Sequence, residues 1–130
     1  GVNSSILASS LVLVVAQRLL RRICPQCRTL EPITAEERNL FVRNHLTAPD
    51  RLPRAVGCPS CYNTGYKGRV GIYEVLPINR EIEELIFEGA ISSRIEDVAV
   101  KGGVSLLKMQ ALKKAAQQMT SIDEVFRVVA

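Results

Sequence analysis

The chain has 130 residues, of which 47% are apolar, 23% charged and only 5% aromatic, with no Trp. That length fits one domain, or a small domain with an appendage; it argues against a large cavity enzyme and requires an aliphatic core. The formal charge of +4 is unevenly spread: residues 17–72 hold ten Arg/Lys against four Asp/Glu, and residues 73–130 hold seven against nine.

From the N-terminus, Asn3, Ser4 or Ser5 can cap a helix that is predicted to run to about Arg22. Leu11, Val12, Leu13, Val14 and Val15 make its middle apolar on every side, so it should be buried all round, against material outside this chain. The apolar run Ile6–Ala16 is shorter than the ~20 residues of a membrane span. Arg18, Arg21 and Arg22 follow the run, whereas an export signal places its cations first. Neither insertion nor export is expected, and the missing initiator Met fits a fragment.

Thr34 and Glu37 form a capping-box pattern that predicts a short helix through Leu46, and TAPDRLPRAVG, residues 47–57, reads as a loop. Gly65, Gly68 and Gly71, with Val70, Ile72 and Tyr73, predict a hairpin ending near Leu76 and closed by Pro77. Beyond Asn79 the period becomes helical. Ile82, Leu85 and Ile86 share a face with Gly89 as C-cap, and Ser93 with Glu96 opens a second short helix. Gly102 and Gly103 break that helix; a third spans Ser105–Met119, and Ser121 with Glu124 boxes a fourth. The predicted fold class is mainly α with a small β-hairpin.

The chemistry lies in two Cys-Pro-x-Cys knuckles, Cys24-Pro25-Gln26-Cys27 and Cys58-Pro59-Ser60-Cys61. Cys-x-x-Cys spacing lets two thiolates turn onto one ion, and two such knuckles complete a tetrahedron. The interval between them exceeds the ~15–20 residues of a compact ribbon, so a helix-bearing excursion is expected. Disulfides need an oxidising compartment that nothing in the sequence suggests, and a redox site needs one such motif at a helix start, not two. Four thiolates leave no open position, so the expected zinc is structural, and its −4 and +2 lower the net charge to about +2. Arg22, Arg28, Lys67 and Arg69 could offset that cluster or serve as solvated surface charge.

No other group reads as reactive. Arg18, Arg21 and Arg22 suit a helix C-terminus as well as a nucleic-acid stripe, and Tyr62, Tyr66 and Tyr73 suit packing better than base stacking. His45, the single histidine, is expected to cap or decorate the end of its helix, and no catalytic triad can be drawn. No Gly-Lys pair occurs, which excludes a GxxxxGK[ST] phosphate loop from this chain. Glu83/Glu84 and Asp123/Glu124 read as helix-surface and capping charges. No catalytic and no organic-cofactor residue is assigned.

GVNSSILASSLVLVVAQRLLRRICPQC, GCPSCYNTGYKGRVGIYEVL and the ending TSIDEVFRVV resemble the C-terminal third of the ATPases that power type II secretion and type IV pilus assembly. The resemblance covers nearly the whole chain. It implies residues 1–22 as the last helix of a RecA-like motor core, 23–76 as a tetracysteine zinc-binding subdomain and 77–130 as a C-terminal helical subdomain. It assigns metal binding to Cys24, Cys27, Cys58 and Cys61, and leaves ATP and Mg to a motor core upstream. Further expectations are a hexameric parent, contact with an inner-membrane platform and a cytoplasmic location peripheral to that membrane. Leu13 and Met119 depart from the family pattern, which often has a small residue or Gly there. A zinc-ribbon nucleic-acid module is the alternative.

Overall fold

A computed structural model describes residues 1–129. In chain order it comprises α1 (Ser4–Ser10), β1 (Leu13–Ile23), β2 (Thr29–Pro32), α2 (Ala35–Arg43), β3 (Arg51–Arg54), a 3-10 turn (Pro59–Cys61), β4 (Tyr66–Pro77), α3 (Arg80–Phe87), α4 (Ser92–Lys101), α5 (Leu107–Ala116) and α6 (Ile122–Val129). The architecture is mixed α/β. β1 pairs with β4 and β2 with β3, each as a separate two-stranded sheet. β2 and β3 run antiparallel, with Thr29 opposite Arg54 and Pro32 opposite Arg51.

Two expectations are corrected here. The long first helix ends at Ser10, and the stretch from Leu13 to Ile23 is a strand. Three valines lie between Val12 and Val15, and β-branched side chains favour a pleated backbone when a partner strand is present. That partner is β4, a single twelve-residue strand where a hairpin was expected. The Ile78 N–H donates to the Val12 carbonyl at one end of the pair, and the Cys24 N–H to the Gly65 carbonyl at the other, so the strands run antiparallel. Val12, Leu13, Val14 and Val15 are exposed in this chain.

The helix ends follow local chemistry more closely. Thr34 and Glu37 close a full capping box at α2. Past its C-terminus the His45 N–H reaches the Val42 carbonyl and the Leu46 N–H reaches that of Phe41, with His45 at φ 57°. This is a Schellman cap with histidine in the left-handed position, and it stops the helix three residues before Leu46. Gly89 ends α3 in the same way. At α5 the left-handed residue is Gln118 (φ 62°), one position before Met119.

The chain folds as two compact units. The smaller, Gly1–Ala16 with Tyr73–Leu106, packs α1 on α3 and α3 on α4 and buries Ala8, Ile82, Leu85 and Ala99. The larger, Gln17–Ile72 with the segment from Leu107, is built on Leu20, Phe41, Leu52, Ile72, Leu112 and Val125 and packs α5 on α6 and β3. Charge separates with the fold. The smaller unit holds three Arg/Lys against seven Asp/Glu (−4) and the larger fourteen against six (+8), which recovers the net +4.

Candidate metal centre

The four predicted ligands come together in the larger unit. The sulfur atoms of Cys24, Cys27, Cys58 and Cys61 all lie within 4.8 Å of one another. Cys24 Sγ is 3.9 Å from Cys58 Sγ, Cys27 Sγ is 3.9 Å from Cys61 Sγ, and Cys58 and Cys61 are 3.7 Å apart. A tetrahedron of metal–sulfur bonds of about 2.3 Å has edges of about 3.8 Å, which these three pairs match, and the remaining pairs lie within 4.8 Å, close enough for one thiophilic ion to draw the four sulfurs around it. A disulfide would need sulfurs about 2.05 Å apart, and none of the four cysteines is bridged. Among the described residues no other group of His, Cys, Asp or Glu is gathered for a metal.

Backbone geometry explains why the knuckles converge. Cys24 follows directly on β1, and its N–H bond to the Gly65 carbonyl (2.8 Å) ties the first knuckle to the second. Cys58 opens the 3-10 turn, after which Tyr62 (φ 53°) and Asn63 (φ 59°) both take left-handed conformations and bring the Asn63 N–H to the Cys58 carbonyl. Gly57 and Gly65 supply N–H groups from positions where an added Cβ would run into the Asn63 backbone and Ala55, respectively. Gly57 N–H donates to Cys27 Sγ (3.3 Å) and Gly65 N–H to Cys61 Sγ (3.2 Å), with a third bond from Cys58 N–H to Cys61 Sγ (3.2 Å). At Gly65 (φ 80°) an added Cβ would sit 2.7 Å from that of Ala55.

These dipoles act unequally on the thiols. For Cys61, burial opposes ionisation, but the N–H groups of Cys58 and Gly65 favour the thiolate and draw its pKa down to about 6. Cys24 is also lowered: burial opposes the shift, and the N–H groups of Gln26 and Cys27 outweigh it. Cys27 receives the Gly57 N–H, yet burial and the three neighbouring thiols push it up to about 11. Four thiolates this close repel one another, so a multivalent cation is what would hold all of them ionised at neutral pH.

A buried ion-pair cluster fixes the frame behind the knuckles. Glu124, fully buried on α6, accepts the Arg21 backbone N–H (2.9 Å), Arg21 Nε (3.0 Å) and Nη2 (2.8 Å), and Arg127 Nε (2.8 Å) and Nη2 (2.6 Å). Arg21 also lies 4.2 Å over the ring of Tyr66, whose hydroxyl bonds to Ser121. Burial raises the Glu124 pKa, but the bonds from Arg127 and Arg21 overcome it and hold the group at about 2. The expectation of a surface capping charge is therefore corrected at Glu124. Ser121 does cap α6 by accepting the Glu124 N–H, but the Glu124 carboxylate turns to the arginines. The arginine three residues on, Arg127, is the one sequence sign of this role.

None of the remaining singled-out residues is among the gathered metal ligands. Tyr62 and Tyr73 are exposed, Tyr66 is half-buried against Arg21, and Glu83 and Glu84 are exposed on α3. Arg28 donates to the Gln118 carbonyl (2.9 Å) and Lys67 to Ser60 (3.2 Å), while Arg22 and Arg69 are exposed.

Residues 1–127 match the family model described as "Type II/IV secretion system protein". Among curated proteins, the type IV pilus assembly ATPase PilB of Acinetobacter baylyi is 42% identical, over 100% of this chain and 23% of its own length. The type II secretion system ATPase E of Vibrio cholerae is 37% identical, over 98% of this chain and 25% of its own. The PilB of Myxococcus xanthus is 34% identical, over 96% and 22%. The chain thus spans about a quarter of the length of these relatives. A family match that runs through both cysteine knuckles and the Glu124 cluster leaves one assignment: this chain belongs to the type II/IV secretion system protein family.

Proposed function

We propose that this chain is the zinc-stabilised C-terminal module of a hexameric ATPase that drives pseudopilus or pilus assembly. Cys24, Cys27, Cys58 and Cys61 hold one structural Zn²⁺, and the motor core that binds ATP and Mg lies elsewhere in the parent polypeptide. The observation that carries this reading is the cluster of four sulfurs, all within 4.8 Å of one another and three of the six pairs 3.7–3.9 Å apart, in a chain whose relatives are named as secretion and pilus-assembly ATPases. Thiolate-only coordination closes the site to substrate, so the metal sets the relative positions of β1 and β4 and performs no chemistry. The exposed run Val12–Val15 would lie against the motor core, and residues 23–76 and 77–130 would act as the zinc-binding and helical subdomains. Coupling to neighbouring subunits and to inner-membrane platform proteins, from the cytoplasmic side, completes the proposal. Among the described residues no helix is long and apolar enough to cross a membrane, which suits attachment through partners.

Metal analysis tests the site. The purified chain should carry one zinc, with its four thiols protected until a chelator is added; no metal and four freely titrating thiols would overturn the assignment. ATP hydrolysis by this chain alone would overturn the placement of the motor elsewhere. The formal +8 of the larger unit, about +6 with zinc on four thiolates, favours one second reading, a zinc-ribbon nucleic-acid binder. Sub-micromolar, steeply salt-dependent DNA or RNA binding would support that alternative.

A further inference from the structure

Beside the first knuckle the larger unit has an open recess of about 380 Å³. Arg22, Arg28 and Lys67 line it, together with Pro25 and, just past the end of α5, Gln117 and Gln118, and no carboxylate is among its lining residues. The three cations are unpaired in the sense that matters for an anion. Arg28 and Lys67 donate only to neutral acceptors, the Gln118 carbonyl and the Ser60 hydroxyl. Among the described residues none of the three takes part in an ion pair, whereas Arg21, Arg54 and Arg127 are each held by buried or half-buried carboxylates. The bond to the Gln118 carbonyl uses one terminal nitrogen of Arg28 and fixes the direction of its guanidinium, leaving the other donors of its planar fork unassigned. Arg22 lines the same recess and its side chain has no hydrogen-bond or ion-pair partner among the described residues, and the unit around both carries a formal +8, or about +6 once four thiolates hold zinc.

We infer that this recess is an anion site for a phosphate or phosphomonoester group, clamped between the guanidinium groups of Arg22 and Arg28 with the Lys67 ammonium as a third contact. Arginine forks match the paired oxygens of a phosphate, and a lysine adds a point charge. The bound group would lie over Pro25, between the two cysteines of the first knuckle, so occupancy would be felt at the metal centre without involving its ligands. The inference stands apart from the motor reading, because it needs only the recess and its charges.

The test is a titration of inorganic phosphate into the zinc-loaded chain at constant ionic strength, following the side-chain Nε–H resonances of Arg22 and Arg28. Saturable shifts that chloride does not reproduce are expected. Arg22→Gln and Lys67→Gln should each weaken binding about tenfold or more, the worth of one charge-assisted hydrogen bond. Arg38→Gln and Arg43→Gln, which remove the same charge from exposed positions on α2, should leave it unchanged. An equal effect of all four substitutions would reduce the site to diffuse charge and overturn it. So would an absence of saturable shifts, or zinc loss from Arg22→Gln and Lys67→Gln with phosphate binding intact, which would make these cations partners of the thiolate cluster. Glycerol phosphate and phosphatidic-acid vesicles distinguish the sources. Binding of both, with competition, assigns a lipid headgroup, and binding of glycerol phosphate alone assigns a soluble ligand.

Discussion

Replacing Glu124 by Gln should be among the most damaging single changes outside the metal ligands. The carboxylate is fully buried, takes five hydrogen bonds from Arg21 and Arg127, and is held at a pKa of about 2. Against an unfolded value near 4.3, that depression corresponds to about 3 kcal/mol. Arg21 and Arg127 are themselves 43% and 54% exposed, and solvent screening brings the figure to roughly 2–3 kcal/mol. Because the folded pKa is depressed, the stabilisation is fully present above the unfolded pKa and is lost as pH falls through about 4 toward 2. Denaturant unfolding of wild type and E124Q, at one zinc concentration, should therefore differ by roughly 2–3 kcal/mol at pH 7. That gap should shrink steadily below about pH 4.5, since the glutamine cannot titrate. Acid release of zinc affects both proteins, so the difference between them isolates Glu124. A gap below about 0.5 kcal/mol, or one that does not change with pH, would refute the reasoning.

Two further changes probe the second knuckle from opposite directions. Gly65→Ala forces a Cβ to within 2.7 Å of that of Ala55 at a φ of 80° and displaces the N–H bonded to Cys61 Sγ. It should cost about 1–3 kcal/mol in denaturant unfolding and speed zinc transfer to a chromogenic chelator; unchanged transfer would show that this N–H does not support the thiolate. Tyr62→Asn should do the reverse, because Tyr62 is 91% exposed and held at φ 53°, where asparagine is less strained. A gain of up to about 1 kcal/mol is expected in the same assay, and a loss would mean that the ring makes an unrecognised contact.

The parts of this fold that were legible in the sequence are those decided within a few residues. Capping at Thr34 and Glu37, the stop at His45 and the C-cap at Gly89 need only local side chains and one left-handed residue. The cysteine knuckles are equally local, and their Cys-x-x-Cys spacing carried the prediction that the four sulfurs meet. What failed is what depends on distant chain. The segment from Leu13 to Ile23 mixes valines with Leu, Ala, Gln and Arg, so its propensity is divided, and β4, more than forty residues away, decides in favour of a strand. The β2–β3 pair was hidden for a related reason: Pro32 and Pro53 make both segments read as loop, yet proline is tolerated in short strands at sheet edges. Glu124 was misread because a glutamate three residues after a serine has an obvious local use, and its real partner, Arg21, lies at the far end of the sequence.

The central claim is that four cysteines from two knuckles bind one ion between β1 and β4. X-ray absorption at the zinc edge of the purified chain tests it most directly. Four sulfur scatterers at about 2.3 Å, with no nitrogen or oxygen ligand, are predicted. A shell containing water or histidine, or a sample that holds no zinc while its four thiols remain reduced, would contradict it.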